Sequence, residues 1–216
     1  MITDLVLFDM DGTIVQYNSG SFQSSWDALG EAIGRKEEWD RLLRHYINKP
    51  AQYQEWFEEN CRGLEGVQVE SVKPVLFPPP YTPGFPECCA YLKGKGILLG
   101  LVSSGVDLVA KKIQQEVGLD FILINELLSD RKGRFTGRGR MNVHIGEKGE
   151  LVKKILHQYG IRREATAFIG DHFNDIPAWQ EVGYPLGMNL KDQRCYSQVK
   201  AHFTDFYQVK DFLEAA

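Results

Sequence analysis

The chain has 216 residues and a formal net charge of -4 at pH 7, with 43% hydrophobic and 25% charged residues. This length and composition are typical of a globular protein with a full hydrophobic core, built as one domain of ordinary size plus an insertion. The negative charge argues against a nucleic-acid-binding protein, which needs a concentrated basic face. The one cationic cluster, at 131–140, is rich in glycine and predicts the tip of a solvated hairpin.

The location expected for this chain is the cytoplasm. The residues after Met1 lead almost directly into a strand, so we expect no signal peptide. No apolar run approaches the roughly 18 residues of a membrane helix. The spacing of the four cysteines matches neither a zinc site nor a disulfide framework, and it predicts small buried side chains in a reducing compartment. These cysteines are Cys61, Cys88, Cys89 and Cys195.

Short apolar runs recur along the chain, with helical stretches between them. The runs lie at 5–8, 97–102, 121–124, 167–170 and 184–188. Two of the intervening segments, 106–117 and 151–159, have apolar residues at helical spacing. Buried strands that alternate with helices predict an α/β fold: a Rossmann-like, mostly parallel sheet with helices on both faces.

Residues 18 to about 76 break this alternation. They contain three stretches of apolar residues at helical spacing and no convincing strand. The stretches run over 22–33, 39–47 and 53–64. We assign most of their aromatic residues to packing within the segment, and the prolines of 76–87 stiffen its return. The prediction is a helical cap of residues 17–80, inserted into a core of residues 1–16 and 81–216.

Two aspartates end the first strand, in the sequence LVLFDMDGT. A buried unpaired carboxylate is costly, and a second one beside it raises the cost. Asp9 and Asp11 lie at the carboxyl end of a strand, where open α/β sheets bind ligands. Gly12 permits a sharp turn that brings Asp11 toward whatever Asp9 contacts. An Asx-type turn would explain one aspartate before a glycine, but not the polar groups at other strand ends.

Groups suited to a phosphate follow the second strand and begin a later helix. Ser103 and Ser104, followed by Gly105 at a predicted helix start, offer hydroxyl and backbone N–H groups to an anion. Lys148 lies in the first turn of another predicted helix, where an acidic residue would be normal. Alone it would be interpreted as a solvated surface lysine, but with the serines it suits a phosphate.

Two further acids follow the fourth strand. Asp171 and Asp175 lie just beyond it, with Asn174 beside them and Pro177 opening a helix. They join the first aspartate pair at one edge of the sheet. Carboxylate oxygens with no histidine or cysteine ligand among them suit Mg²⁺.

With these motifs the chain resembles the haloacid dehalogenase-like phosphohydrolases, and among them the phosphoserine phosphatase-like branch. Four motifs in the family's order and spacing carry the resemblance: DMDGT at 9–13, VSSG at 102–105, Lys148, and GDHFND at 170–175. The helical insertion stands at the family's cap position. The resemblance covers nearly the whole chain, and it implies a Mg²⁺-dependent phosphatase for a small phosphorylated metabolite, selected by the cap.

The resemblance also implies a role for each motif residue. Asp9 would be the nucleophile that forms an aspartyl-phosphate, while Asp11 would protonate the leaving oxygen and then deprotonate the hydrolytic water. The phosphate would be held by Gly12, Ser103, Ser104, Gly105, Lys148 and Asn174. The metal would be bound by Asp9, the backbone carbonyl of Asp11, Asp171 and, directly or from behind, Asp175.

The two aspartates of the first motif need opposite protonation states. A bound cation and Lys148 would keep Asp9 ionised. A neighbouring anion and partial desolvation would raise the pKa of Asp11 above the ~3.9 of a free aspartate. Because the site must also exclude water, we expect the cap to close over it as a lid.

The cap departs from the phosphoserine phosphatase pattern. Those enzymes carry a glutamate shortly after the first motif, for the substrate amino group, whereas 16–21 contains no acid. They also use a cap arginine for the substrate carboxylate, and Arg62 is not clearly in register. Phosphoserine is therefore the second choice of substrate. The residues that could contact a substrate are Asn18, Tyr53, Trp56 and Arg62, with His172 either reaching the phosphate or capping its loop.

Two alternatives to hydrolysis stay open at this point. A phosphotransferase would pass the phosphoryl group from the aspartate to an acceptor alcohol. A non-catalytic sensor of a phosphorylated metabolite would use the same scaffold, although such a protein usually lacks one of the motif residues and this chain has them all. We expect no nucleic-acid or membrane partner, and the sequence gives no oligomeric state.

Overall fold

The computed structural model describes residues 3–17 and 24–215, and across them the strands form one seven-stranded sheet. The strands are β1 (Leu5–Phe8), β2 (Leu98–Val106), β3 (Phe121–Ser129), β4 (Phe135–Arg140), β5 (Thr166–Gly170), β6 (Tyr184–Met188) and β7 (Ala201–Phe203). Their order is β4-β3-β2-β1-β5-β6-β7, and every neighbouring pair is parallel except β3 and β4. The predicted α/β fold with a mostly parallel sheet is confirmed.

Helices cover both faces of this sheet. They are α1 (Ser25–Ala32), α2 (Lys36–Tyr46), α3 (Tyr53–Gly63), α4 (Val69–Leu76), α5 (Phe85–Gly94), α6 (Asp107–Val117), α7 (Lys148–Tyr159), α8 (Ile176–Trp179), α9 (Gln193–Tyr196) and α10 (Phe206–Ala215). Single 3₁₀ turns lie at Pro50–Gln52, Arg163–Ala165 and Phe173–Asp175. Of the helices in these described ranges, none has the length and apolar character needed to cross a membrane.

Strand β1 is the centre of the sheet, and its sequence explains why. All four of its side chains are buried, Val6 and Phe8 in one hydrophobic cluster and Leu5 and Leu7 in the other. A strand buried on both faces reads as a continuous apolar run. The chain continues from β1 to β2 on one side, and β5 pairs with β1 on the other. The carboxyl end of β1 therefore lies where the strand order reverses, which is where such sheets bind ligands.

Strand β2 is longer than the sequence predicts. It extends through Ser103–Gly105 to Val106, with an irregular register against β3 between Ser103 and Val106. Helix α6 consequently begins at Asp107, not at the serines. The prediction failed here because polar residues and a glycine continue the strand past its apolar part. Strands β4 and β7 were also missed, since β4 carries one apolar residue and β7 has three residues in all.

The segment between β1 and α5 forms helices α1 to α4, which are called the cap below. The fourth of them was not predicted, because Pro74 lies inside it and its apolar pattern is short. Of the predicted stretches, Phe22 lies outside the described residues. The two connections to the core run side by side: the Gln16 N–H donates to the Pro80 carbonyl (2.9 Å) and the Thr82 N–H to the Ile14 carbonyl (2.8 Å). The division into a cap at 17–80 and a core stays a prediction.

The cap also packs on the β3–β4 hairpin. The Phe135 N–H donates to the Val67 carbonyl and the Gly66 N–H to the Phe135 carbonyl, both at 2.9 Å. Phe135 is buried, and the aromatic ring of Phe57 lies against Gly139. The predicted hairpin is present, but it is not simply solvated: its basic side chains are exposed while its backbone supports the cap.

The ring of Trp39 on α2 packs against Gly30 on α1 and Gly63 on α3, and it therefore joins three cap helices. A Cβ atom at Gly63 would lie 2.6 Å from the buried Trp39 ring, so Gly63→Ala should lower the free energy of unfolding by about 1–3 kcal/mol. Gly94, likewise the last residue of a helix, has nothing within 4 Å of such a Cβ. Gly94→Ala should therefore be neutral, or stabilising by up to about 1 kcal/mol. Urea denaturation of both variants measures the difference, and equal effects would contradict this packing.

Candidate active site

The polar residues that follow β1 and β5, and those in the last part of β2, meet at the carboxyl edge of the sheet. They face a cavity of about 570 Å³ that is roofed by the cap. The predicted site residues that line it are Asp9, Asp11, Gly12, Trp56, Ser103, Ser104, Gly105, Asp171, His172 and Asn174. Sequence reasoning therefore identified most of the cavity floor.

Lys148 lies beneath this floor with its side chain fully buried. Its Nζ is 2.9 Å from Asp9 Oδ1 and 2.6 Å from Asp175 Oδ1. It is the first residue of α7 and shares a buried face with Val152 and Ile155, so the helix directs it inward. Burial by itself lowers the pKa of Lys148, but the carboxylates of Asp175 and Asp9 raise it above the usual value. Lys148 is thus a buried cation that links two acids.

Three carboxylates form a compact cluster beside this cation. Oxygen atoms of Asp9, Asp171 and Asp175 lie within 4.8 Å of one another. Burial, together with the neighbouring charges of Asp175 and Asp9, raises the pKa of Asp171 well above its usual value. One lysine does not balance three carboxylates, two of them buried and the third half-buried, and the available donors are all oxygen atoms. These residues therefore fit a divalent metal ion that prefers oxygen ligands.

Asp175 organises the loop that carries Asp171. Its Oδ2 accepts the N–H groups of Asp171 (3.1 Å) and His172 (3.2 Å), while its Oδ1 contacts Lys148. The His172 side chain completes a capping box on the same turn, and His172 also lines the cavity. Both interpretations of His172 from the sequence are therefore compatible with its position.

Two glycines are required by the close approach of carboxylates. Gly12 has φ of 79°, and a Cβ atom there would lie 2.1 Å from Asp171 Oδ2. A Cβ atom at Gly105 would lie 2.6 Å from Asp11 Oδ2. Any larger residue at either position would displace an acid of the site.

Asp11 is held by the cap. The Ser25 N–H donates to Asp11 Oδ1 (2.8 Å) and the Ser25 hydroxyl to Oδ2 (2.7 Å). The Ser25 Oγ in turn accepts the Val106 N–H at 3.2 Å. Burial raises the pKa of Asp11 to about 7, against the effect of the Ser25 hydrogen bonds and with a further increase from the Asp9 charge. Near neutral pH this carboxyl can therefore both give and take a proton.

The carbonyl oxygen of Ser104 joins the cap to the floor of the cavity. It accepts hydrogen bonds from Trp26 Nε1 (3.1 Å), the Tyr53 hydroxyl (3.2 Å) and Asn125 Nδ2 (3.3 Å). The first two donors belong to the cap. Tyr53 does not line the cavity, so it positions the irregular end of β2 at 103–105, called the β2 loop below, instead of contacting a substrate directly.

Some predicted substrate residues are not in the cavity. Arg62 is exposed and pairs with Glu59 at 2.6 Å, so the cap arginine expected for a substrate carboxylate does not reach the site. Asn18 lies outside the described residues. Phe57, also within the predicted stretch, is buried between the cap and β4.

The structure adds cavity residues that sequence reasoning missed. From the cap these are Ser24, Trp26, Asp27, Trp39, Leu43, Ile47 and Asn60, and from the core Gln16, Ile145, Asn189, Lys191, Asp192 and Gln193. Most of the aromatic residues of the cap were predicted to pack within it, and Trp39 does so, but it lines the cavity as well. The core loop could have been found, because it follows the carboxyl end of β6. Ser25 has no signal in the sequence.

Comparison with known proteins agrees with this geometry. A family model for haloacid dehalogenase-like hydrolases matches residues 6–180. The chain belongs to this family.

Curated relatives refine the comparison. The phosphoserine phosphatase of Saccharomyces cerevisiae is 29% identical over 87% of this chain and 59% of its own length. That of Archaeoglobus fulgidus is 30% identical over 87% and 53%, and that of Methanocaldococcus jannaschii 27% identical over 87% and 86%. The chain thus spans little more than half the length of the first two. These relatives confirm the phosphoserine phosphatase-like branch indicated by the motifs.

Solved structures share the fold. A phospho-aspartyl intermediate analogue of phosphoserine phosphatase superposes with a TM-score of 0.82 at 24% identity, covering 97% of this chain and 98% of that one. A substrate-bound phosphoserine phosphatase complex gives 0.81 at 23% identity, with the same coverage. Both likenesses include the cap as well as the sheet.

The pKa of Asp11 predicts a pH-dependent effect on stability. The folded-state pKa of about 7 exceeds the usual 3.8, so ionisation of Asp11 disfavours folding. The protonated carboxyl carries no such penalty. The free energy of unfolding is therefore highest below about pH 4 and falls as the pH rises to about 7. Metal-free Asp11→Asn should therefore be more stable than the parent by about 4 kcal/mol at about pH 8, with no difference near pH 4. A pH-independent difference in urea denaturation would contradict the shift.

Removal of the Tyr53 hydroxyl tests the contact between cap and floor. Tyr53→Phe keeps the ring but removes a buried hydrogen bond to Ser104, so it should destabilise the protein by about 1–2 kcal/mol. Tyr81→Phe is the matched control, because the Tyr81 hydroxyl contacts the solvent-accessible Glu116. It should change stability by less than about 0.5 kcal/mol. Equal losses of stability in the two variants would contradict a specific contribution of the hydrogen bond between Tyr53 and Ser104.

Proposed function

We propose that this chain is a Mg²⁺-dependent phosphatase that hydrolyses small phosphomonoesters in two steps through Asp9. One observation carries the proposal: two carboxylates two residues apart have opposite environments. Asp9 is bonded to a buried ammonium group, whereas Asp11 is desolvated and has a pKa of about 7. The first arrangement suits a nucleophile and the second a general acid and base.

In the first step an Asp9 oxygen attacks phosphorus, and the bond between phosphorus and the ester oxygen breaks. The salt bridge to Lys148 uses Oδ1 and leaves Oδ2 for this attack. Protonated Asp11 gives its proton to the departing alkoxide, which leaves as the neutral alcohol. The product of the step is an aspartyl-phosphate.

In the second step the ionised Asp11 takes a proton from water, and the resulting hydroxide displaces Asp9 from phosphorus. Inorganic phosphate leaves, and both aspartates return to their starting states. Ser25 holds the Asp11 carboxyl through both of its oxygens, which keeps it aimed at the same position in each step. The alternation needs a pKa near the working pH, which burial supplies.

The groups around Asp9 bind the phosphate and the metal in this proposal. Ser103 and Ser104, which line the cavity, would face the phosphoryl oxygens, with Lys148 behind them. Mg²⁺ would neutralise the repulsion between phosphate and carboxylate. Its ligands would be Asp9, Asp171 and the Asp11 carbonyl, while Asp175, bonded to Lys148 and to the loop, holds Asp171 in place.

The proposal extends to the class of substrate and to the cellular location. A cavity of about 570 Å³ suits a small phosphorylated metabolite, and the curated relatives are named for phosphoserine, which makes it the first compound to test. We place this activity in the cytoplasm. Transfer to an acceptor alcohol would use the same aspartyl-phosphate, and phosphate release measured with and without added alcohols distinguishes the two reactions.

The activity is tested with p-nitrophenyl phosphate and acetyl phosphate. Turnover should require Mg²⁺, stop on addition of EDTA and return with excess Mg²⁺. Asp9→Asn should lower kcat by roughly a thousandfold or more, because it removes the nucleophile. Asp4→Asn, an exposed aspartate just before β1, is the control and should keep the parent rate. Metal-independent turnover, or an active Asp9→Asn protein, would refute the proposal.

A further inference from the structure

Three cap helices build a continuous apolar wall over the catalytic floor. Trp39, Leu43 and Ile47 follow one another at intervals of four along α2 and just past its end, so they share a face. Trp26 of α1 and Trp56 of α3 extend the wall on either side. The Trp56 ring is fixed by contacts with Tyr46 and Tyr53, at 6.2 and 6.0 Å between ring centroids. A flat apolar group of a ligand would find large, rigid partners there.

Two polar atoms within this wall have no hydrogen-bond partner among the described residues. They are Asn60 Oδ1 and Trp39 Nε1, on side chains that are only 4% and 3% exposed. Buried polar groups are normally satisfied, and one left unsatisfied costs stability. Both residues line the cavity. A ligand group seated against the wall would supply partners for both atoms once the two side chains turn toward it.

The two residues lie close together on the same part of the wall. The Trp39 ring spans from Gly30 on α1 to Gly63 on α3, where a Cβ atom would lie 2.6 Å from Cη2. Gly63 is three residues from Asn60, which places the two on one face of α3. One neutral group of a ligand, able to donate to the amide oxygen and accept from the indole N–H, could therefore serve both.

The charges of the cavity disfavour a carboxylate on the substrate. Among the described lining residues the one cation is Lys191, on the core loop, and the cap contributes none. Arg62 faces away, paired with Glu59. The charged cap residue Asp27 is engaged in capping α1: its N–H donates to Ser24 Oγ, whose hydroxyl donates to Asp27 Oδ2. A zwitterionic amino acid would bring its carboxylate into a mainly acidic cavity.

Resting on the proposed phosphatase function, we infer that the cavity selects phosphomonoesters of a planar, mainly apolar alcohol that has no carboxylate and carries one neutral polar group for Asn60 and Trp39. The phosphate would face Asp9 while this group meets the cap wall. The substrate class therefore differs from the compound that names the relatives.

Three esters with a primary alkyl leaving group test the inference. They are benzyl phosphate, 4-carbamoylbenzyl phosphate, which adds a neutral donor and acceptor, and O-phospho-L-serine. We expect kcat/KM for the carbamoyl compound to exceed that for benzyl phosphate by roughly tenfold or more, because buried polar partners become satisfied. Benzyl phosphate should in turn exceed phosphoserine. A kcat/KM for phosphoserine equal to or above the other two overturns the inference.

Variants of the two polar residues locate the effect. Asn60→Leu and Trp39→Phe should each bring the ratio of the two benzyl compounds close to one. Arg62→Gln, on the outer face of α3, is the matched control and should leave all ratios unchanged. Asn60→Leu should also raise Tm by a few degrees, since it removes an unsatisfied buried amide. A lowered Tm with an unchanged ratio would show that Asn60 is purely structural and would overturn the inference.

Acetyl phosphate distinguishes a failure of this inference from a failure of the proposed function, because its acetate leaving group is too small for the cap to recognise. If it is hydrolysed with Mg²⁺ while phosphoserine is the best ester, the inference fails and the proposed function stands. If acetyl phosphate and all three esters are inert, both fail.

Discussion

The site depends on one buried ammonium group, that of Lys148 between Asp9 and Asp175. The parallel sheet brings acids to one edge, and without a cation at that depth their ionised forms would be too costly to bury. The same ammonium group fixes the first turn of α7 against the loop after β5. It also engages Oδ1 of Asp9, which in the proposed reaction leaves Oδ2 to attack phosphorus. The floor of the cavity is therefore held together mainly by these ion pairs, and packing comes second.

In the proposed reaction the cap would take part in the chemistry as well as in the selection of the substrate. Ser25 holds the carboxyl of Asp11, and Trp26 and Tyr53 hold the backbone of the β2 loop through Ser104. The cap therefore contributes to the burial of Asp11, which raises its pKa, and it also positions the serines that would bind phosphate in the proposed reaction. The apolar wall and its two unsatisfied polar atoms then give the same helices a role in choosing the alcohol. In the proposed reaction, burial of the site by the cap and recognition of the alcohol would therefore depend on the same helices, which is a common way to exclude water from phosphoryl transfer.

The sequence predicted what depends on local chemistry. The run before Asp9 marks a strand buried on both faces, and the carboxylates, serines and lysine at the ends of elements mark the floor. It did not predict what depends on contacts between distant segments. Ser25 carries no sign that it will reach Asp11, and the extension of β2 through Ser103 is set by pairing with β3. Trp39 and Leu43 have the spacing of an ordinary helix face, so the sequence could not show that this face lines a cavity. For Arg62 only the structure shows that it points outward.

A crystal structure of the protein with Mg²⁺ and beryllium fluoride tests the role of Asp9 most directly. Beryllium fluoride imitates a phosphoryl group bound to a carboxylate. The account predicts beryllium bonded to an oxygen of Asp9, with the fluorines facing Ser103 and the β2 loop. Beryllium fluoride bound to another residue, with Asp9 left unmodified, would contradict it.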